Sequence, residues 1–503
     1  MERVSAGGAL GHDAARPRRF GPRLPGRQRL DGRGDAADRR AARAAHAVHP
    51  AAVLGVQQRR GAGPHRAGAP GCRHHGRHQP RLRARPRGAH PAARRHHRHR
   101  RLHRAHQGVA NGGRRRHPSA RDCHQGWQRG VAAARRASLY PAVEVAIMIR
   151  MSEVVLPGHP DKFCDQVADA IVAECYQADA RAYCQVEMST WCDQVFLTGG
   201  IVTRQPLARD LAEIVRATGR GIGYVTPNAI EADRYQVRDT VCQRREDPRT
   251  WTDHVNDQCI SIGWAGYDAK VAWLPPEHFL AHTLGAALAQ SCRDGRLAGQ
   301  GPDGKLLVRV REGTDQWQVE QILVTLQQLP EVSLLELTAR IVDDVRDAYA
   351  HLQTCDPRWA ARFDDLELLI NPNGPLLNGG SDGDNGQTGR KLVADYYGPR
   401  VAIGGGALSG KDLSHIDRVG AYAARHAALR AVRTGARECR VVVAYAPNRD
   451  APLDVVYEMD RRAEQLPPSW FAHSAVRERY CGGAYVAALG AGAHFIDASL
   501  PWN

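Results

Sequence analysis

The sequence lacks paired cysteines and long apolar runs. It has 503 residues and 12 cysteines, but no two cysteines are spaced as Cys-x-x-Cys. We therefore expect reduced thiols, with neither a zinc site nor a disulfide framework. No apolar stretch approaches the roughly 18 residues of a membrane-spanning helix. The N-terminal region also has no apolar core of the secretory kind. These absences predict a cytoplasmic protein without a membrane anchor.

Lysine is absent from the first 150 residues, and aromatic residues are scarce there. This segment holds 34 arginines and 7 acidic residues, whereas the rest of the chain has 36 basic and 46 acidic residues. The first 150 residues therefore carry a net charge of +27 and the remainder −10, so the basic charge of the whole chain, +17, comes from the N-terminal segment only. Residues 1–147 are rich in Arg, His, Ala, Gly and Pro and have no sustained period. Such a segment buries too little apolar surface to offset its ordering entropy, so we expect it to be disordered.

Two interpretations of residues 1–147 stay open. A basic arm would bind nucleic acid through its arginines, but few aromatic side chains are present to stack on bases. Nucleic acid is therefore not an expected partner. The favoured interpretation is that the segment is not native and comes from GC-rich DNA read in the wrong frame or from too early a start. The functional chain would then begin at Met148 or Met151.

A regular pattern begins at Met151. Strands are predicted at Ser152–Leu156, Ala182–Met188, Val195–Val202 and Val319–Leu326, and helices from Pro160 and over Leu207–Ala217, Pro276–Ser291 and Leu334–Tyr349. A further helix is predicted to start from Ser414 as its cap, with Asp417 completing a capping box, and to stop at Gly435. These units recur about three times, which indicates an α/β (α+β) chain with sheets backed by helices. The predicted domains are 148–253, 254–364 and 365–503.

Two glycine-rich loops lie between Asn371 and Asp417. The loop at 383–391 reads GDNGQTGRK, and the loop at 404–412 reads GGGALSGKD. Glycines let backbone amides approach a polyanion, and the lysines and arginine supply its counter-charge. Nearby aspartates suit a magnesium ion that bridges phosphates. The loops therefore predict a polyphosphate site, although Asp412 stands where a Walker A loop needs Ser or Thr.

The segment GHPDK at 158–162 places charged side chains at a helix N-terminus. The positive end of the helix dipole there favours a phosphate group. The alternative is that His159 and Asp161 only cap the helix. The segment Thr240–Val255 is polar and unpatterned, and it is either a mobile lid or a surface loop.

Taken together, these motifs resemble S-adenosylmethionine synthetase over residues 151–503. The motifs, in the family's order, are GHPDK at 158–162, DQ at 257–258, DGK at 303–305, GDNGQTGRK at 383–391 and GGGALSGKD at 404–412. The resemblance implies three similar α/β domains with pseudo-threefold symmetry. It also implies formation of S-adenosylmethionine from ATP and L-methionine, followed by hydrolysis of the released triphosphate. Homodimers with active sites between subunits, usually paired into tetramers, are implied as well.

The resemblance also implies site residues. The catalytic group would be His159, Lys305, Arg390 and Lys411. ATP and its phosphates would contact Glu153, His159, Asp303, Lys305, Asp384, Arg390, Lys391, Ala407 and Lys411. Methionine would contact Gln243, Asp257, Asp384 and His415. Asp161 and Asp417 would hold Mg²⁺, two ions per site, and Glu187 would hold K⁺.

The sequence departs from the family pattern at the methionine end. Ile201 replaces a glutamate, His415 a lysine and Leu376 an aromatic residue, and the lid segment is short. These departures keep three alternatives open: a synthetase that uses another thioether, an enzyme that acts mainly as a triphosphatase, or a non-catalytic partner subunit.

Overall fold

The structure, a computed structural model, describes residues 148–227, 230–480 and 486–503. The expectations about residues 1–147 lie outside the described residues. The described part mixes helices and several sheets, which confirms the predicted α/β class. Within it, no helix is both long enough and apolar enough to cross a membrane.

Strands and helices alternate along most of the described chain. The strands are β1 Met148–Val155, β2 Tyr183–Trp191, β3 Gln194–Val202, β4 Gln236–Asp239, β5 Cys242–Arg244, β6 Cys259–Gly266, β7 Gln300–Glu312, β8 Trp317–Gln328, β9 Glu367–Ile370, β10 Gly386–Gln387, β11 Glu438–Tyr445 and β12 Asp454–Met459. The helices are α1 Pro160–Ala178, α2 Leu211–Ile222, α3 Arg249–Thr252, α4 Pro276–Arg293, α5 Leu334–Cys355, α6 Leu392–Asp395, α7 Ile416–Arg433, α8 His473–Tyr480 and α9 Val486–Ala488.

Three sheets form from these strands. Sheet I has the order β1-β7-β8-β9, sheet II has the order β10-β2-β3-β4 with β5 also on β3, and sheet III has the order β12-β11-β6. Helix α4 packs on β1 and β7 of sheet I, α1 packs on β2 of sheet II, and α7 packs on β6 and β11 of sheet III. Each sheet takes strands from at least two of the predicted domain ranges 148–253, 254–364 and 365–503. The division into these three domains stays a prediction.

Two apolar cores lie between the sheets and their helices. One lies under sheet I and includes Leu284, Val308 and Ile341. The other is shared by sheets II and III and includes Val186 and Val441. Burial of apolar area is the main term that stabilises the fold, so these cores hold the sheets and helices in place. The sheets in turn fix the positions of the loops that join their strands.

The paired strands predicted around residues 182–202 are confirmed, since β2 and β3 run antiparallel with Tyr183 opposite Val202. The helix predicted over Leu207–Ala217 starts later than expected. Asp210 is its N-cap and accepts a hydrogen bond from the Glu213 amide, and Gly223 ends the helix in the left-handed region at φ 111°.

The predicted cap of helix α7 is wrong. His415 is the N-cap, because its backbone is extended and its Nδ1 accepts a hydrogen bond from the Asp417 amide at 3.3 Å. Ser414 instead donates its hydroxyl to the Asp412 carboxylate at 2.5 Å, so it is not available as a cap. The helix ends at Arg433, close to the predicted stop at Gly435.

Sheet III and helix α7 approach closely at a glycine. A Cβ atom on Gly263 of β6 would overlap the backbone of Ala424 in α7. By contrast, a Cβ on Gly221 in α2 would have no heavy atom within 4 Å. The two positions therefore differ in their tolerance of a methyl group.

We expect Gly263→Ala to lower the free energy of unfolding by about 1–3 kcal/mol, because the added methyl group forces the backbone to move. Gly221→Ala is the matched control, and it should be neutral or stabilising by up to about 1 kcal/mol because it raises helix propensity. Chemical denaturation of both variants measures the difference. Equal midpoints for the two variants would contradict this packing.

Candidate functional site

His159 caps helix α1 and is almost fully buried, with 1% of its surface exposed. Its Nδ1 accepts a hydrogen bond from the Asp161 amide at 3.1 Å, so the ring hydrogen of the neutral form lies on Nε2. Burial, together with the positive charges of Lys391 and Lys305, lowers the pKa of His159 to about 3. The side chain is therefore a neutral hydrogen-bond donor at physiological pH.

Asp161 lies at the centre of a charged group beside His159. Its carboxylate forms an ion pair with Lys391, and Arg390 Nε lies 3.6 Å from Oδ1. The same Oδ1 accepts a hydrogen bond from the Gln387 amide at 2.9 Å. The loop at 383–391 thus brings two cations to the N-terminus of α1, where the helix dipole adds further positive potential.

Three aspartates on one side of helix α1 hold both glycine-rich loops. They lie four residues apart, which places them on the same helix face. Each accepts a hydrogen bond from a backbone amide: Asp161 from Gln387, Asp165 from Gly389 and Asp169 from Gly410, with N–O distances of 2.9, 2.8 and 2.9 Å. Helix α1 therefore fixes the relative position of the two loops.

Buried cations compensate the two deeper aspartates. Lys162 Nζ lies 2.8 Å from Asp165 and 2.5 Å from Asp395. Burial raises the pKa of Asp165 to about 7, although Lys162 opposes this shift. Arg418 pairs with Asp169 at 2.7 Å, and both side chains are fully buried. Burial alone would lower the pKa of Arg418, but the Asp169 charge raises it above its usual value.

The loop at 404–412 is docked on strand β2. Gly410 has φ 83°, and a Cβ there would overlap the Val186 carbonyl, so this close approach requires glycine. Asp412 accepts a hydrogen bond from the Cys184 amide at 3.0 Å and from the Ser414 amide at 2.7 Å. Asp412 therefore has a structural role, and the loop is not of the Walker A kind, since its helix starts at Ile416.

A second charged group surrounds the N-terminus of α7. Lys411 Nζ lies 2.6 Å from Asp417 Oδ2, and both side chains are largely buried. Burial and the Lys411 charge lower the pKa of His415, while the carboxylates of Asp412, Asp417 and, least, Asp257 oppose this shift. Burial and the nearby Asp417 raise the pKa of Cys259 to about 12, so its thiol is not ionised. This thiol is a site feature that the motifs did not predict.

The two groups approach each other where the loops touch. A Cβ on Gly389 would lie 2.8 Å from the Cβ of Ala407, which joins the loop carrying Arg390 and Lys391 to the loop carrying Lys411. Strand β7 brings a further cation, since the charge of Lys305 affects the pKa of His159. The structure thus places five of the predicted catalytic and phosphate-binding residues near one another: His159, Lys305, Arg390, Lys391 and Ala407.

The DGK segment lies within strand β7, and its Asp303 has a structural role. Asp303 is 9% exposed and accepts a hydrogen bond from the Gly380 amide at 2.8 Å. Burial raises its pKa to about 6. Asp384 is exposed and accepts a hydrogen bond from the amide of its own neighbour Asn385 at 2.8 Å.

Three predicted residues lie at exposed positions of strands, and Asp257 is exposed in the segment before β6. Glu153 lies on β1 and lines a cavity of about 470 Å³ together with Arg390 and Lys391. Glu187 lies on β2 opposite Thr198, and Gln243 lies on β5 opposite Ile201. Their assigned roles stay predictions.

Sequence reasoning missed the positioning residues Asp165, Asp169, Arg418 and Asp395. A signal was present in the four-residue spacing from Asp161 to Asp165 to Asp169, which puts three acids on a helix face that is otherwise buried. No comparable spacing in the sequence indicates Arg418 or Asp395, which lie on other helices.

Comparison with known families agrees with this arrangement. The sequence matches models of three domains of S-adenosylmethionine synthetase: the N-terminal domain over residues 147–245, the central domain over 252–376 and the C-terminal domain over 378–467. Together the matches span more than half of the chain.

We expect Asp169→Asn to lower the free energy of unfolding by about 3–5 kcal/mol, because it leaves the Arg418 guanidinium buried without its counter-charge. The matched control is Asp343→Asn, whose partner Arg346 forms an exposed pair. The control should cost less than about 1 kcal/mol. Urea denaturation measures both values, and a loss at Asp169 no larger than the control's would refute the role assigned to this pair.

Proposed function

The chain belongs to the S-adenosylmethionine synthetase family, and we propose that it joins the sulfur of L-methionine to the ribose C5′ of ATP and then hydrolyses the released triphosphate. Members of this family form S-adenosylmethionine from ATP and methionine. The family match supports that activity in general. The individual steps and residue roles are the proposed part.

The observation that carries the proposal is the set of amides and cations around the N-terminus of helix α1. Lys391 and Arg390 meet Asp161 there, beside the neutral His159. A thioether sulfur is a nucleophile that needs no base, so the reaction requires in-line positioning and stabilisation of the leaving group. The leaving triphosphate develops negative charge, which preorganised cations and hydrogen-bond donors stabilise.

His159 would donate its Nε2 hydrogen to the oxygen between C5′ and the first phosphorus. The tautomer favours this role, because Nδ1 is engaged with the Asp161 amide. A neutral donor strengthens its hydrogen bond as charge develops on that oxygen, and it does not lose its proton. Its low pKa keeps this state across the physiological range.

The lysines and arginine would neutralise the phosphate chain. Lys391 and Lys411 are each paired with one aspartate, Asp161 and Asp417. A bound polyphosphate offers both ammonium groups stronger anionic partners and leaves the two carboxylates free. Lys305 on β7 and Arg390 would contact further phosphate oxygens.

The freed carboxylates fit magnesium. Among the residues that the structure describes, no group of three His, Cys, Asp or Glu side chains is placed to hold a metal ion. Mg²⁺ does not need such a group, since it usually takes one or two carboxylates plus substrate phosphates. Asp161 and Asp417 would hold two ions per site, which would neutralise the phosphate charge. Glu187 would supply one carboxylate for K⁺.

The amino-acid end supports a second candidate, in which another thioether replaces methionine. Burial and Lys411 lower the pKa of His415, so this position carries no positive charge for a substrate carboxylate at neutral pH. Ile201 is 1% exposed and offers no polar group. Asp257 and Gln243 are exposed near this end and remain proposed methionine contacts.

The full chain should form a sulfonium product when supplied with ATP, Mg²⁺, K⁺ and L-methionine, as read by mass spectrometry. Phosphate and diphosphate should appear in equal amounts with it. Hydrolysis of added triphosphate without sulfonium product would favour a triphosphatase. Absence of both reactions would refute the proposal and favour a non-catalytic subunit.

His159→Asn should lower kcat by about a hundredfold or more while changing the KM for ATP little, because it removes a donor used in the transition state. Asparagine retains the capping acceptor, so the helix should stay intact. The wild-type kcat should show no titration near pH 6.5 that His159→Asn abolishes, since His159 has a pKa of about 3.

The matched control is His351→Asn, an exposed histidine of helix α5, which should leave kcat unchanged. The proposed role would be contradicted if His159→Asn changed only KM. It would also be contradicted if the wild-type kcat fell with a single pKa near 6.5 and this titration were absent from His159→Asn. Steady-state kinetics between pH 5 and 8 make this comparison.

A further inference from the structure

A pocket of about 360 Å³ lies on the outer face of sheet II. Strands β2 and β3 form its floor, where Gly199 and Gly200 leave the backbone accessible. Strand β5 and helix α3 form its side and contribute Arg244 and Trp251. The volume suits a small organic molecule of the size of an amino acid.

Arg244 is the only cation among the described residues that line this pocket. Its side chain is 55% exposed, and the carboxylate of Glu246 lies 3.8 Å away, beyond hydrogen-bond distance. Its backbone carbonyl accepts a hydrogen bond from the Thr203 amide at 3.1 Å, which ties this residue to the end of β3. The Arg244 backbone is therefore fixed at the pocket, and its exposed guanidinium, which forms only a long ion pair with Glu246, can contact an anion.

Aromatic side chains form one wall of the pocket. The rings of Tyr183 and Trp251 lie 5.3 Å apart, and the Arg244 guanidinium lies 5.7 Å from the Trp251 ring. Aromatic surfaces make favourable contacts with sulfur. Glu187, the proposed K⁺ ligand, also lines the pocket.

The pocket adjoins the phosphate side of the site. Gln185 lines it and forms an isolated antiparallel bridge with Lys411. The Tyr183 hydroxyl donates to Gln185 at 3.2 Å, so the aromatic wall is connected to the same strand position. A ligand in the pocket would thus lie beside the loop that carries Lys411.

We propose that Arg244 binds the α-carboxylate of the amino-acid substrate in this pocket, with the thioether side chain against Tyr183 and Trp251. This inference rests on the proposed function. Arg244 would be a specificity-determining residue, since arginine matches the planar carboxylate with two parallel hydrogen bonds. It supplies the positive charge that His415 lacks.

Arg244→Gln tests this assignment with two substrates, L-methionine and L-methioninamide, whose carboxylate is replaced by a neutral amide. Wild-type enzyme should prefer methionine in kcat/KM by at least about tenfold, since hydrogen bonds between charged groups are worth one to two powers of ten. In the variant, kcat/KM for methionine should fall by about tenfold or more, whereas kcat/KM for the amide should change by no more than about twofold. The KM for ATP should not change, and Arg244→Lys should recover part of the preference.

Arg245→Gln is the matched control, because it removes the same charge from the adjacent exposed residue, which does not line the pocket. It should retain the wild-type preference. Equal losses with both substrates in Arg244→Gln, or an unchanged preference, would overturn the inference while leaving the proposed function intact.

Absence of sulfonium product in wild type would instead refute the proposed function. Calorimetric binding of methionine and methioninamide to the full chain then decides about Arg244. Loss of the preference for methionine in Arg244→Gln supports the site, and binding that is equal for both ligands in wild type refutes it.

Discussion

The rest of the site depends on buried carboxylates of helix α1 that accept hydrogen bonds from the backbone amides of two loops. Glycine-rich loops have few side chains with which to pack, so hydrogen bonds must fix their positions. Asp161, Asp165 and Asp169 supply these bonds from one rigid helix face. A buried carboxylate is costly unless it is paired and hydrogen-bonded, and Lys162 and Arg418 meet that requirement for the two deeper residues. Removing one of these aspartates or its cationic partner therefore affects the geometry of the loops as well as the stability of the fold.

The two helix N-termini at the site share one local arrangement. His159 and His415 each accept a hydrogen bond through Nδ1 from the amide two residues on, and the aspartate at that position pairs with a lysine. In both places the imidazole is buried and its pKa is lowered, so neither histidine adds positive charge to the dipole. The cations come instead from flanking loops. In the proposed function, Lys391 and Lys411 would exchange an aspartate for a phosphate, while the neutral rings cap the two helices.

The sequence predicted the fold class, most elements and the family, because periodicity and glycine-rich motifs are local properties of the chain. It also predicted that α1 begins at Pro160, since proline suits the first helical turn. It could not predict that Ser414 donates to Asp412 and leaves the cap to His415, because that choice depends on docking against β2. Likewise, the pairing of Asp169 with Arg418 joins residues 249 positions apart, and no local pattern carries that information.

The distribution of burial separates the two ends of the candidate site. At the end proposed to bind phosphate, His159, Asp161 and Lys411 are each less than 10% exposed and contact several neighbours, so a substitution there disturbs the network. On the outer face of sheet II, Arg244 and Gln243 lie on a short exposed strand with few partners. Substitutions on such a strand cost little stability. A change of amino-acid preference through Arg244 or Gln243 would therefore cost less stability than a substitution among the buried residues His159, Asp161 and Lys411.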